Sequence, residues 1–148
     1  MNYIQSGKSE GAKVVCGGNR VDRKGYFIES TVFTGVDENM KICKEEIFGP
    51  VMSIIKFKTV DEVIERANNN DYGLVSGVLT NSLETALEVS NALRSGIVFV
   101  NSWASLNTTT PIGGFKNSGI GRELGKSCLD NYLELKTVIM KRPDKSLP

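Results

Sequence analysis

Residues 51–101 read VMSIIKFKTVDEVIERANNNDYGLVSGVLTNSLETALEVSNALRSGIVFVN, and this stretch decides the fold class. Its three β-rich runs are separated by two segments in which apolar residues recur at helical spacing. The β-rich runs are 51–57, 74–80 and 97–101. A strand–helix–strand–helix–strand order implies right-handed crossovers between parallel strands. The sequence therefore predicts an α/β protein with a parallel-sheet βαβαβ core and flanking helices.

The two predicted helices have identifiable first residues. Thr59 and Glu62 have the spacing of a capping box, so the first helix is expected to begin just after Thr59. Asn81 or Ser82 can cap the second helix, because both side chains offer an oxygen to a free backbone amide.

Further elements are predicted on either side of this stretch. Residues 1–12 favour a short polar helix, and AKVVCGG and GYFIESTVF favour strands. After Asn101 a long loop rich in Ser, Thr, Asn and Gly precedes a short helix near 122–131 and a β-branched run, LELKTVIMK. Ligands of parallel sheets bind beyond the carboxyl ends of the strands, so this loop is the predicted site.

Composition narrows the class of protein. The chain has 148 residues, 40% of them apolar, and a net charge of +1. A charge so near zero gives no electrostatic reason to expect a nucleic acid or membrane partner. No apolar run reaches the roughly 20 residues that span a bilayer, and no signal peptide is recognised at the start. We therefore expect a cytoplasmic protein of one domain.

The cysteine and histidine contents exclude several kinds of site. Three widely spaced cysteines, Cys16, Cys43 and Cys128, without a C-x-x-C motif favour neither a disulfide framework nor a metal site. The absence of histidine excludes Ser-His-Asp and Cys-His nucleophile pairs within these residues. The cysteines are more typical of packing residues than of nucleophiles.

Four local features leave alternatives open. The glycines of 119–125 suit either a pyrophosphate-binding turn or a plain turn. Trp103 is either a core anchor or a pocket wall. Arg122 and Glu123 read locally as an ion pair. Glu45 and Glu46, in KEEIFGPV, are either a solvated acidic pair or include a carboxylate that accepts hydrogen bonds from the hydroxyls of a ligand.

The motifs of the chain, in their order, resemble those of the NAD(P)-dependent aldehyde dehydrogenase superfamily. These motifs are GYFIESTVF, KEEIFGPVMSIIKF, ANNNDYGLVSGVLT, GIVFVN and PIGGFKNSGIGRELG. The resemblance extends from about residue 3 to about residue 141 and corresponds to the C-terminal part of such an enzyme. It implies oxidation of an aldehyde substrate to an acid through a cysteine thioester, with NAD as cofactor and NADP possible.

The resemblance also implies roles for individual residues. Glu46 matches the glutamate that accepts hydrogen bonds from the nicotinamide-side ribose, and Phe48 the aromatic that positions the nicotinamide. Trp103 and Leu106 match the substrate-pocket wall. Glu123 matches a glutamate of a proton relay.

Other matched positions concern assembly. Arg122 matches a structural neighbour near the subunit interface and Glu134 an acidic residue that supports it. Residues 1–132 match the C-terminal portion of the catalytic domain, 133–141 an oligomerisation strand that joins a partner subunit by β-augmentation, and 142–148 read as a polar tail. A homo-oligomer is therefore implied.

Two functions follow from these matches. In the family the nucleophilic cysteine and the general-base glutamate precede the matched region, so residues 1–148 alone are expected to be inactive while their parent enzyme oxidises aldehydes. The alternative is a stand-alone, non-catalytic protein that acts in self-association or in pairing with another dehydrogenase subunit.

Overall fold

A computed structural model describes residues 1–141, and the predicted polar tail at 142–148 lies outside them. Its first half holds a three-stranded sheet with two helices. In chain order the elements are α1 (Asn2–Ser9), β1 (Lys13–Cys16), β2 (Thr31–Thr34), α2 (Lys41–Lys44) and β3 (Val51–Ser53). Strand β2 is central: it pairs with β1 antiparallel and with β3 parallel.

The core of this half is small and apolar. Its buried side chains are Ile4, Ala12, Phe33, Val36 and Ile42. Helix α1 lies close to the sheet because Gly7 has no side chain: a Cβ there would come within 3.0 Å of both Phe33 and Ile42. This packing fixes α1 against α2.

The second half is built on a β–α–β unit. Its elements are α3 (Val60–Asn68), β4 (Tyr72–Gly73), β5 (Val75–Val78), α4 (Leu83–Ala92), β6 (Ile97–Val100), β7 (Phe115–Lys116) and a 3₁₀ helix (Lys126–Asn131). Strands β5 and β6 are parallel, with Val75 opposite Ile97 and Val78 opposite Val100. Strands β4 and β7 form a separate antiparallel pair.

The caps of α3 and α4 form as predicted. Thr59 Oγ1 accepts a hydrogen bond from the amide of Glu62 at 3.2 Å. The Glu62 carboxylate accepts a hydrogen bond of 2.7 Å from the amide of Lys58. A capping box would place this bond on the amide of Thr59, one residue later. At α4, Ser82 provides the cap by accepting from the amide of Thr85 at 3.2 Å.

The α/β class is confirmed, but the strands of residues 1–141 form three sheets and not one βαβαβ sheet. Strand β3 ends at Ser53 and pairs with β2, so it never reaches β5. Of the predicted run 51–57, Ile54, Ile55 and Phe57 lie beyond this strand and are exposed. Only the β5–α4–β6 unit keeps the predicted parallel arrangement.

The end of the described chain also differs from expectation. The helix expected near 122–131 is the shorter 3₁₀ helix, Lys126–Asn131. Residues 133–141, expected to be an oligomerisation strand, form no strand here, and all of them are exposed. A strand requires a hydrogen-bonded neighbour, and the run has none within residues 1–141. Over the same residues, no helix combines the length and the apolar character that crossing a membrane demands.

Candidate functional site

The turn between α2 and β3 presents an acid and an aromatic side chain to solvent. Helix α2 ends at Lys44, and Glu45 continues in extended backbone with φ −108° and ψ 148°. Phe48 has φ 51°, in the left-handed region that few non-glycine residues adopt, and the residue is 92% exposed. Glu46 is exposed and makes no hydrogen bond or ion pair with any residue of 1–141. Its carboxylate is therefore available to a ligand.

Glu45, the neighbouring acid, is engaged within the protein. Its Oε2 accepts a hydrogen bond of 2.8 Å from the hydroxyl of Tyr3, and Lys41 Nζ lies 3.8 Å away. The hydrogen bond to Glu45 raises the pKa of Tyr3 above its usual value, and desolvation adds to the increase. Because the pair is separated by 42 residues, the sequence offers no local signal for it.

The loop after β6 begins at the carboxyl ends of β5 and β6. Asn101 links the two strand ends, accepting from the amide of Thr80 and donating to its carbonyl, each at 2.9 Å. Trp103 rests with its ring centroid 5.6 Å from that of Phe99 and covers Gly77, yet the residue is 68% exposed. Leu106 is also exposed. The indole is thus packed on one side and exposed on the other.

Glycines allow the backbone to approach closely in and around the segment 112–125. A Cβ on Gly96 would lie 1.6 Å from the carbonyl oxygen of Gly113, and one on Gly113 would lie 2.4 Å from that of Gly121. The pyrophosphate interpretation of 119–125 also lacks its helix, because only the 3₁₀ helix follows. The geometry favours the plain-turn interpretation.

Arg122 and Glu123 do not form the local ion pair that their adjacency suggested. The guanidinium of Arg122 donates to the carbonyls of Gly114 and Gly121 at 3.0 and 2.6 Å and lies 5.4 Å from the ring centroid of Phe115. Glu123 is held through its backbone, which exchanges two 2.8 Å hydrogen bonds with Ile112. Its exposed carboxylate has no partner within residues 1–141.

Two cavities lie near these segments. A cavity of about 350 Å³ is lined by Arg122 and Glu123 together with Leu74, Ser118 and Asn131, among others. A larger one, about 630 Å³, lies between α2, α3 and the chain after β3. None of the site residues matched to the family lines the larger cavity.

The structure groups the expected site residues into separate places. Glu46 and Phe48 share the turn before β3, whereas Trp103 and Leu106 share the loop after β6. Arg122 and Glu123 share the smaller cavity, and Glu134 is exposed after the 3₁₀ helix. No hydrogen bond or ion pair recorded over residues 1–141 connects the turn to the loop.

The cysteines carry no sign of nucleophile activation. Burial raises the pKa of the Cys43 thiol, and the nearby acids Glu38 and Asp37 raise it further. Cys128 Sγ lies 3.0 Å from the carbonyl oxygen of Gly125, to which it donates. Cys16 is exposed. Within the described part of the chain, no group of three or more Cys, Asp or Glu side chains is arranged to hold a metal ion.

Comparison with known proteins gives consistent matches. The sequence model of the family described as "Aldehyde dehydrogenase family" matches residues 1–138. The chain is 57% identical to retinal dehydrogenase 2 of Gallus gallus and 54% identical to aldehyde dehydrogenase 1A1 of Rattus norvegicus, each over 146 residues. Each match covers 99% of this chain but only 28% and 29% of the relatives. The chain therefore spans less than a third of their length.

Solved structures agree with these matches. An aldehyde dehydrogenase from Bacillus cereus in complex with NAD+ superimposes with a TM-score of 0.91 at 53% identity, covering 93% of this chain and 28% of the other. An NAD-dependent aldehyde dehydrogenase from Sinorhizobium meliloti gives a TM-score of 0.93 at 40% identity, with 99% and 29% coverage.

Proposed function

This chain belongs to the aldehyde dehydrogenase family, and on that basis we propose that it forms part of an NAD-dependent oxidoreductase that converts an aldehyde to a carboxylic acid. The observation that carries the proposal is the close match to an aldehyde dehydrogenase in complex with NAD+. In this proposal residues 1–132 supply part of the cofactor site and of the substrate pocket of a catalytic domain. The parent enzyme is cytoplasmic, in keeping with the cytosolic aldehyde dehydrogenase among the relatives.

The turn before β3 holds the cofactor in this proposal. Glu46 accepts hydrogen bonds from the hydroxyls of the nicotinamide-side ribose, and Phe48 positions the nicotinamide ring. The unpartnered carboxylate and the exposed aromatic ring suit a bound group that offers hydroxyl donors and an apolar face. Bound there, the nicotinamide would supply a hydride acceptor for the oxidation of the aldehyde. NADP is the alternative cofactor.

The loop after β6 and the residues around the smaller cavity also contribute to the active site in this proposal. Trp103 and Leu106 form part of the wall that meets the aldehyde. Glu123 takes part in a proton relay, for which its free carboxylate is suited. Arg122 supports the segment that carries Glu123, close to a subunit interface.

Assembly involves the end of the described chain. We place Glu134 and residues 133–141 at an interface with a second subunit, where this run would pair as a strand with a sheet edge. Exposed apolar side chains in this run support the proposal. They are Leu133, Leu135, Val138, Ile139 and Met140.

Residues 1–148 on their own are proposed to be inactive. None of the three cysteines matches the family nucleophile, and the thiol of Cys43 is disfavoured as a thiolate. Binding residues accelerate a reaction only when the reacting groups are present. NADH formation by the isolated chain, abolished by substituting one cysteine, would contradict this.

The test uses a family-length chimera, in which this chain replaces the matching segment of rat aldehyde dehydrogenase 1A1. We expect Glu46→Gln to lower kcat/KM for NAD+ by roughly 10- to 100-fold, since the amide keeps one neutral acceptor oxygen where the ribose hydroxyls need both charged oxygens, and a hydrogen bond to a charged group contributes about 1.5–3 kcal/mol. Glu88→Gln, an exposed change of the same chemistry on α4, is the matched control. Equal kinetics for the two variants, followed as NADH absorbance, would refute the cofactor role of Glu46.

The stand-alone alternative is favoured by one observation, the exposed apolar run at 133–141. In that case the isolated chain would associate through this run without catalysis. Light scattering after size exclusion tests this association: a defined dimer of the isolated chain that is lost on Ile139→Asp supports it, and a monomer contradicts it. Catalysis then separates the two functions, because only the first requires aldehyde oxidation by the family-length chimera.

A further inference from the structure

Helix α1 reaches the proposed cofactor turn through one side chain. Tyr3 lies next to Ile4, which is only 2% exposed, so the helix end that carries the phenol is fixed in the core. From there the Tyr3 hydroxyl donates to Glu45 Oε2 at 2.8 Å. The contact joins an anchored helix to the first residue of the turn.

The conformation of Glu45 relates this contact to Glu46. The backbone of Glu45 is extended, and successive side chains of an extended chain point in opposite directions. When Glu45 is held towards α1, Glu46 is directed away from it.

A second set of contacts fixes the other end of α2. Glu10 Oε2 accepts from the amide of Lys41 at 2.8 Å. The ammonium of Lys41 in turn lies 3.8 Å from Glu45 Oε2 and 5.2 Å from the centroid of the Tyr3 ring. Contacts from α1 and the residue that follows it thus hold both the first residue of α2, Lys41, and the first residue of the turn, Glu45.

We propose that Tyr3 is a positioning residue for the dinucleotide: its hydrogen bond to Glu45 sets the direction of the Glu46 carboxylate towards the ribose hydroxyls. This inference rests on the proposed function, in which Glu46 contacts the cofactor. It gives Glu45 a role that is distinct from that of Glu46, because the Glu45 carboxylate is engaged by Tyr3 and Lys41.

The experiment measures NAD+ affinity by calorimetry in the family-length chimera. Tyr3→Phe removes only the hydroxyl, and we expect the Kd for NAD+ to rise about threefold to tenfold, as fits one lost hydrogen bond, with kcat at saturating NAD+ almost unchanged. Glu45→Ala should have the same effect, and the double variant should add nothing further.

Two variants control for non-specific effects. Glu45→Gln keeps an acceptor oxygen for the phenol and should restore the Kd to within about twofold. Tyr26→Phe removes the hydroxyl of a fully exposed tyrosine and should leave the Kd unchanged.

The outcomes separate the two proposals. If Tyr3→Phe lowers the melting temperature but leaves the Kd for NAD+ unchanged, its role is only structural and the inference is overturned. If Glu46→Gln weakens binding and Tyr3→Phe does not, the positioning role alone fails. If neither variant changes the Kd, the cofactor role of Glu46 fails as well.

Discussion

Gly96→Ala should be among the most damaging single-methyl changes in this chain. The added Cβ would lie 1.6 Å from the Gly113 carbonyl oxygen and 2.8 Å from its carbonyl carbon, so the two backbones would have to separate. Carbon atoms in contact lie about 3.5–4.0 Å apart, and overpacking typically costs about 1–3 kcal/mol. The obstacle here is backbone and cannot rotate away. We therefore expect a loss of about 3 kcal/mol or more.

The separation would also strain the hydrogen bond of 3.0 Å from the Gly96 amide to the Gly73 carbonyl. The assay is thermal unfolding of the family-length chimera, combined with amide hydrogen exchange across β6 and β7. Faster exchange in those strands is expected, because the close contact of Gly96 with Gly113 joins the start of β6 to the segment that leads into β7.

Gly49→Ala provides the matched control. A Cβ at Gly49 meets nothing closer than 3.9 Å, so the same added methyl should change stability by less than about 0.5 kcal/mol. Equal melting temperatures for Gly96→Ala and Gly49→Ala would refute the close crossing of Gly96 and Gly113.

Three smaller predictions test local contacts. Thr59→Ala should destabilise α3 by about 1 kcal/mol, seen as a lower urea midpoint, whereas Thr59→Ser should retain most of the cap. Iodoacetamide should label Cys43 more slowly than Cys16, by peptide mass mapping near neutral pH, because burial and nearby acids raise the pKa of Cys43; equal rates would contradict this. The hydrogen bond from the Lys58 amide, and then the charge of Arg66, lower the pKa of Glu62. The ionised carboxylate therefore stabilises the folded protein above the unfolded pKa, and this stabilisation is lost as the pH falls through the lower folded pKa. Acid unfolding between about pH 5 and pH 3 should therefore be less steep in Glu62→Gln, and an unchanged pH profile would count against the shift.

The sequence predicted the local elements where the chain itself supplies the cause. Helix α3 begins after Thr59 because the cap and the apolar periodicity are both local. Strand β6 occupies 97–100 against an expected 97–101, since its apolar run is bounded by Gly96 and by Asn101. In each case the deciding contacts are a few residues apart.

The sheet arrangement could not be predicted in the same way. Strand β3 pairs with β2 and not β5, and a run of apolar residues says nothing about which neighbour it will choose. The β-branched content of 133–141 likewise indicates a strand, but a strand forms only beside a partner edge. The family resemblance selected Glu46 and Phe48, yet only the fold connects Tyr3 to Glu45.

The turn at 45–50 has the properties that a binding site on a loop needs. Its first residue is held by the phenol of Tyr3, and its last by the 2.9 Å hydrogen bond from the amide of Thr31 to the carbonyl of Pro50. Thr31 is itself buried, at 1% exposed, in the central strand. Left-handed backbone at a residue such as Phe48 costs about 1–3 kcal/mol and persists only where the surroundings impose it. Because both ends are held by hydrogen bonds, the turn can keep Phe48 in that conformation and exposed, instead of burying the ring. The two adjacent glutamates differ for the same reason: Glu45 joins the turn to α1, and Glu46 has no hydrogen-bond or ion-pair partner within residues 1–141.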